Sequence, residues 1–89
     1  SLAYLKHFPV DALKIDKTFV EGLGSDRDDA AITAAIVDVA QRLRLVTVAE
    51  GVERVDQAEW LTALGCDLAQ GFHYARPMGA AELRGYLSS

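Results

Sequence analysis

The sequence predicts an α/β fold built from three consecutive strand–helix units with parallel strands, and three observations carry that expectation. Short apolar runs, Ala12 to Asp16, Leu45 to Ala49 and Leu68 to Phe72, alternate with longer segments of helical period. In the longest of those segments Ile32, Ala35, Ile36, Val39, Ala40 and Leu43 recur at the i, i+3, i+4, i+7 spacing of one helix stripe. Finally, each apolar run ends near one polar side chain: Lys14, Glu50 and Gln70.

The elements follow in order. Leu2, Tyr4, Leu5 and Phe8 suggest the last turns of an amphipathic helix stopped by Pro9. Ala12 to Asp16 then reads as a strand, followed by a polar loop through Gly22, Gly24 and Ser25. Ser25 or Asp26 is placed to cap the main helix, and Asp28 and Asp29 suit the positive end of its dipole. Leu45 to Ala49 forms the second strand and Val55 to Leu64 the second helix, with Ala58, Leu61 and Leu64 on its inner face and Gly65 at the C′ position. Trp60 reads as packing. Leu68 to Phe72 forms the third strand, and Ala80 to Leu87 a last helix after Pro77 and Gly79. Strand–helix alternation of this length implies a parallel sheet with right-handed crossovers.

Alternation along each strand sorts the side chains further. Ala12, Lys14 and Asp16 share one face, as do Val46, Val48 and Glu50, and Leu68, Gln70 and Phe72. If the three sets face one interior, Lys14, Glu50 and Gln70 gather at one rim above small or apolar residues. That is how the inside of a barrel is built, and the rim at the strand ends is where such folds place their chemistry.

Composition narrows the function. At 89 residues with 51% apolar content, the chain is one small domain at most. It starts as if in mid-helix, so it reads as a segment of a longer protein. The net charge of −4 and the absence of a Lys/Arg run argue against a DNA or RNA partner. No apolar stretch reaches the roughly 18 residues of a membrane span, so no membrane contact is expected from this segment. Cys66 is the sole cysteine and reads as a small packed residue in a reducing compartment, which points to the cytoplasm. His7 and His73 have no partner at metal-ligand spacing.

Each rim residue has two readings. Lys14 is either a lysine that snorkels out or pairs with Asp16, or a cation that binds phosphate and positions a water. Glu50 either bonds loop amides and caps the helix near Arg54, or serves as a metal ligand or general base. Gln70 is either a half-buried amide satisfied by backbone or a ligand contact, and Gly71 beside it allows close approach. Glu53 reads as structural, holding the loop or the helix start.

Taken together, the strings Tyr4-Leu5-Lys6, Pro9-Val10-Asp11-Ala12-Leu13-Lys14-Ile15-Asp16, Val48-Ala49-Glu50-Gly51-Val52-Glu53, Leu64-Gly65-Cys66-Asp67 and Gln70-Gly71-Phe72 resemble the EAL domain, a bacterial cyclic di-GMP phosphodiesterase family. The resemblance follows the family's order and spacing over essentially the whole chain. It implies a TIM-like barrel, usually with one strand reversed, of which residues 1–89 are a C-terminal fragment amounting to its last third. It also implies hydrolysis of one phosphodiester of cyclic di-GMP to the linear dinucleotide, with Mg²⁺ or Mn²⁺ as cofactor.

By the same resemblance, Lys14 helps hold the attacking water and scissile phosphate. Glu50 is a general base or a water-mediated ligand of the second metal, and Gln70 is the active-site glutamine of the last strand. Asp16 and Glu53 take supporting places, and Arg76 and Pro77 lie in a loop suited to nucleotide contacts. The family's Glu-Ala-Leu signature, ligating asparagine and paired aspartates belong upstream and are absent from this sequence. The fragment alone is therefore expected to be inactive, and to self-associate or pair with the rest of its barrel. The alternative is a receptor that binds cyclic di-GMP without cleaving it. A parent tethered to a membrane through other domains is compatible with either.

Overall fold

The computed structural model describes residues 12–71 and 77–88. The helix expected over Leu2 to Phe8 lies outside them, as do His7, Phe72, His73 and Arg76. Within them, β1 (Ala12–Ile15), β2 (Val46–Val52), β3 (Leu68–Gly71) and β4 (Met78–Gly79) form one sheet in that order. The β1–β2 and β2–β3 pairs are parallel, as the alternation predicts. The two-residue β4 returns antiparallel, pairing Leu68 with Gly79 and Ala69 with Met78. So short an edge leaves no sequence period to read.

Between β1 and the main helix, the sequence reading placed a polar loop. The structure has a helix there, α1 (Lys17–Glu21). Asp16 caps it, its carboxylate accepting from the Thr18 N–H at 3.2 Å. Phe19 and Val20 give it an inner side, and Val20 is fully buried, as is Leu23 in the turn that follows. A single turn stands here because tertiary burial offsets the cost of nucleating so short a helix.

The main helix, α2 (Arg27–Arg42), chooses Asp26 of the two candidate caps. Its carboxylate accepts from Asp28 N–H at 2.9 Å and Asp29 N–H at 3.3 Å, satisfying two of the orphan donors of the first turn. The buried stripe matches the expected one only in part. Ala40 is buried and Ile36 packs half-buried against the core as expected, but Thr33 and Val37 are buried beside Ala40 while Ile32, Ala35 and Leu43 are exposed. The apolar positions of this helix span a wide arc, and packing against the sheet rather than period selects which part of that arc is buried.

Helix α3 (Val55–Leu64) keeps its expected bounds, buries Ala58 and Leu61, and ends at Gly65 with φ +91° in the left-handed region. Trp60, expected to pack, is exposed. The last helix, α4 (Ala80–Ser88), sets Ala80 and Leu83 into the core.

One face of the sheet makes the core. Ile15, Ala49 and Ala69 meet Val20, Val37, Ala58, Leu61 and Leu83 from the helices and Leu23 from the turn after α1. Cys66 joins them and is buried, with its thiol 3.3 Å from the Leu68 carbonyl; burial pushes its pKa up. The opposite face carries Ala12, Lys14, Val46, Val48 and Leu68, in register across β1–β3. There Val46 is 41% exposed because its β1 neighbour Ala12 offers one methyl, whereas Val48, between Lys14 and Leu68, is buried.

Candidate functional site

The site begins with the parallel register. Lys14 stands beside Val48, and Glu50 is the next residue on that face of β2. Their side chains meet: Lys14 Nζ lies 3.6 Å from Glu50 Oε1, with the lysine side chain 72% exposed and the glutamate 35%. So the structure brings together two of the three rim residues that the strand pattern singled out. Among the described residues Lys14 pairs with Glu50 rather than with Asp16, and Glu50 neither caps α3 nor bonds loop amides.

Two features at Glu50 were not expected. The sequence predicts a strand that ends at Ala49, but β2 continues through Glu50 and Gly51 to Val52. The ladder to β3 also shifts there. Ala49 pairs with Ala69 and Val52 with Gly71, so Glu50 and Gly51 together stand opposite the single residue Gln70. This is a β-bulge, a device that re-aims a side chain at a strand end. Gly51 has φ +71°, the region that glycine enters without a Cβ penalty. Its place inside an apolar run was the one local sign of the irregularity.

Gln70 itself is half-buried on β3, level with the bulge. Asp16 leaves the strand face on which simple alternation placed it. As the cap of α1 it spends its carboxylate on Thr18, and that hydrogen bonding holds its pKa below the usual aspartate range. Glu53 is exposed, and among the described residues its backbone N–H, not its carboxylate, is engaged. Pro77 is exposed immediately before β4, and Arg76 lies outside the described residues.

The residue that does hold the loop after Glu50 is Gln57, which sequence reasoning passed over. Its Oε1 accepts from the Glu53 N–H at 2.8 Å and the Arg54 N–H at 2.9 Å. A glutamine three residues after the helix cap is the second half of a capping box, and that spacing was the available signal.

At the other end of the sheet, Asp67 Oδ2 accepts from both the Thr47 N–H, at 3.0 Å, and the Thr47 hydroxyl, at 3.2 Å. The same hydroxyl oxygen accepts from the Asp67 N–H at 3.0 Å.

Metal binding can be judged from the donors present. Glu50 offers a hard carboxylate oxygen, the ligand type Mg²⁺ and Mn²⁺ take. Among the described residues, however, no group of three or more His, Cys, Asp or Glu side chains converges. The donor chemistry fits a divalent cation while the donor number does not complete a site, so further ligands would have to come from beyond these residues. None of the helices among the described residues is long and apolar enough to cross a membrane.

Comparison with known proteins identifies the family. The EAL domain family model matches residues 1–77. The chain is 53% identical over 83 residues to the bifunctional diguanylate cyclase/cyclic di-GMP phosphodiesterase MucR of Pseudomonas aeruginosa, covering 93% of the chain and 12% of MucR. It superposes on the solved MucR phosphodiesterase in complex with cyclic di-GMP with a TM-score of 0.78, again at 53% identity, spanning 34% of that chain and 93% of this one. Klebsiella pneumoniae BlrP1, solved with cyclic di-GMP and manganese and also with calcium, matches with a TM-score of 0.74 at 34% identity. That match covers 90% of this chain and 20% of BlrP1. The protein belongs to the EAL domain family, and its parallel strand–helix sheet is a portion of that family's TIM-like barrel.

Proposed function

We propose that this chain is the C-terminal part of a single EAL barrel whose parent hydrolyses cyclic di-GMP to the linear dinucleotide, using Mg²⁺ or Mn²⁺ in the cytoplasm. The observation that carries this reading is the Lys14–Glu50 pair at 3.6 Å on the strand-end rim, with Gln70 opposite the bulge.

In the reaction a water oxygen attacks the phosphorus of one phosphodiester, a P–O bond to sugar breaks, and the released hydroxyl takes up a proton. Glu50 accepts the water's proton, or holds through water a metal that Glu50 helps to bind. Lys14 places a fixed positive charge where the phosphate gains negative charge. Gln70 supplies an amide that both donates and accepts toward the substrate. A bound divalent cation supplies electrostatic stabilisation of the phosphate and a lower pKa for water. Asp16 supports Lys14 by capping the helix that follows it, Glu53 belongs to the loop that carries Glu50, and Arg76 and Pro77 contribute nucleotide contacts.

The 89-residue chain alone is inactive on this reading, because Glu50 and Gln70 cannot hold two metal ions. Through its open strand edges it self-associates or pairs with the rest of the barrel.

The test is hydrolysis of cyclic di-GMP with Mg²⁺ by the complete parent domain, beside Lys14→Ala and Glu50→Ala. Linear dinucleotide from the parent and little from either variant supports the proposal. Measurable binding with no turnover makes the parent a receptor instead.

A further inference from the structure

The two strands that carry Lys14 and Glu50 each run into a turn at the rim, and one buried side chain ties those turns together. Gln57, 1% exposed in the first turn of α3, reaches in two directions. Its Oε1 accepts from the Glu53 and Arg54 N–H groups at 2.8 and 2.9 Å, holding the turn that follows Glu50. Its Nε2 donates to the Val20 carbonyl at 3.1 Å, in the helix that follows Lys14.

Two further contacts join the same turns. The Arg54 Nη2 donates to the Leu23 carbonyl at 3.2 Å. Gly51 packs so closely on Lys17 that a Cβ there would sit 2.7 Å from the Lys17 Cβ.

The chemistry of the glutamine is informative. Starting helix α3 needs only an acceptor for the orphan amides, which a glutamate would supply. The donor half of Gln57 does something a helix start does not require: it anchors the Glu50 turn to the Lys14 turn. Buried and used at both ends, the amide has little freedom to let the turns slide.

We propose that Gln57, assisted by Arg54, is a positioning residue for the rim, fixing Glu50 relative to Lys14 without touching either. The inference rests on reading that pair as the hydrolytic centre. Displacement on the ångström scale of a group that acts on the reacting atoms costs rate steeply, of order a hundredfold.

The test uses the complete EAL domain that contains this chain. Gln57→Glu keeps acceptor oxygens for the two amides and removes the donor to Val20. Leu61→Ala is the control, since it removes core contact beneath the same helix and leaves the turns alone. Steady-state kinetics are measured with Mg²⁺ at matched folded fraction, together with amide hydrogen exchange. With Gln57→Glu, kcat falls about tenfold or more while KM stays within about threefold, the split expected when transition-state geometry is lost. Amides of residues 50–54 exchange about tenfold faster, a local opening. Acidification that protonates the introduced carboxyl restores a donor and returns kcat toward the wild-type value at that pH. Leu61→Ala lowers the unfolding midpoint and keeps kcat within about twofold.

A Gln57→Glu kcat within about twofold of wild type overturns the proposal, as does an equal loss in Leu61→Ala. If the wild-type domain does not turn over cyclic di-GMP, the functional reading fails by itself. The tie is then judged on exchange alone: acceleration confined to residues 50–54 supports it, and an unchanged pattern overturns it. Should Gln57→Glu not fold, Arg54→Ala cuts the outer tie from an exposed position. A fall in kcat of about threefold or more with the same exchange signature supports the proposal, and wild-type behaviour overturns it.

Discussion

Two carboxylates sit at opposite ends of the same sheet and are used in opposite ways. Asp67, just before β3, is spent on the fold: its carboxylate takes both donors of the buried Thr47, and its own N–H returns a bond to the same hydroxyl. Glu50, at the far end of β2, pairs with the exposed Lys14 and stands on a bulge. In parallel α/β architectures one end of the strands serves stability and the other serves chemistry. Among the described residues the difference can be seen in how many hydrogen bonds each carboxylate has already committed.

The comparison breaks most visibly in activity. On the proposed function, Glu50→Ala in the parent domain lowers kcat by about 10²–10⁴, the range for losing a general base. Lys14→Ala lowers it less. Neither shifts the unfolding free energy by more than about 1 kcal/mol, because an ion pair this exposed is worth little to the fold. A denaturant titration beside the kinetic assay checks both halves, and a large loss of stability would mean Glu50 is structural.

Asp67→Ala should show the reverse. It leaves the Thr47 N–H and hydroxyl buried without their partner, at a cost of about 1–3 kcal/mol. Turnover per folded molecule stays near wild type. A lower urea midpoint with unchanged kcat confirms the division between the two ends, and lost kcat at full folding contradicts it.

Gly51→Ala sharpens the comparison on the rim side. A Cβ at φ +71° is strained and meets Lys17, so the bulge must move. We expect about 1–2 kcal/mol of destabilisation together with a lower kcat, since here backbone strain and the position of Glu50 are linked. Full activity in a folded variant would show that the bulge does not aim the glutamate.

The smallest effect is in the pH profile. Hydrogen bonding from Thr18 depresses the folded-state pKa of Asp16 below its unfolded value. Its contribution is therefore present above the unfolded pKa and is lost as pH falls through the folded pKa. Asp16→Asn keeps a good helix cap and removes that titration. Thermal unfolding from neutral pH into the acid range should be slightly less acid-sensitive in the variant, and identical profiles would mean the cap bond is too exposed to matter.

Much of this was legible in the residues themselves. Alternation of short apolar runs with helical segments gave the parallel units, and the linked strings around Lys14, Glu50 and Gln70 gave the family. Gly65 marked one helix end and the Ser25–Asp26 pair another, because capping depends on only a few neighbouring residues. Where the sequence misled, a long-range contact decided. Helix α1 exists because Phe19 and Val20 find a core to pack against. Only its position over the sheet selects Thr33, Val37 and Ala40 as the inner stripe of α2.

What the sequence determined by itself, then, is the order and type of the main elements and the set of polar residues at the strand ends, since periodicity and capping are local physics. The tertiary structure alone decided that Lys14 meets Glu50, that the ladder slips at Gly51, and that Gln57 spans the two turns. The bond from Gln57 to Val20 joins positions 37 residues apart. No local pattern encodes such a partner; it exists only once packing has brought the two turns together.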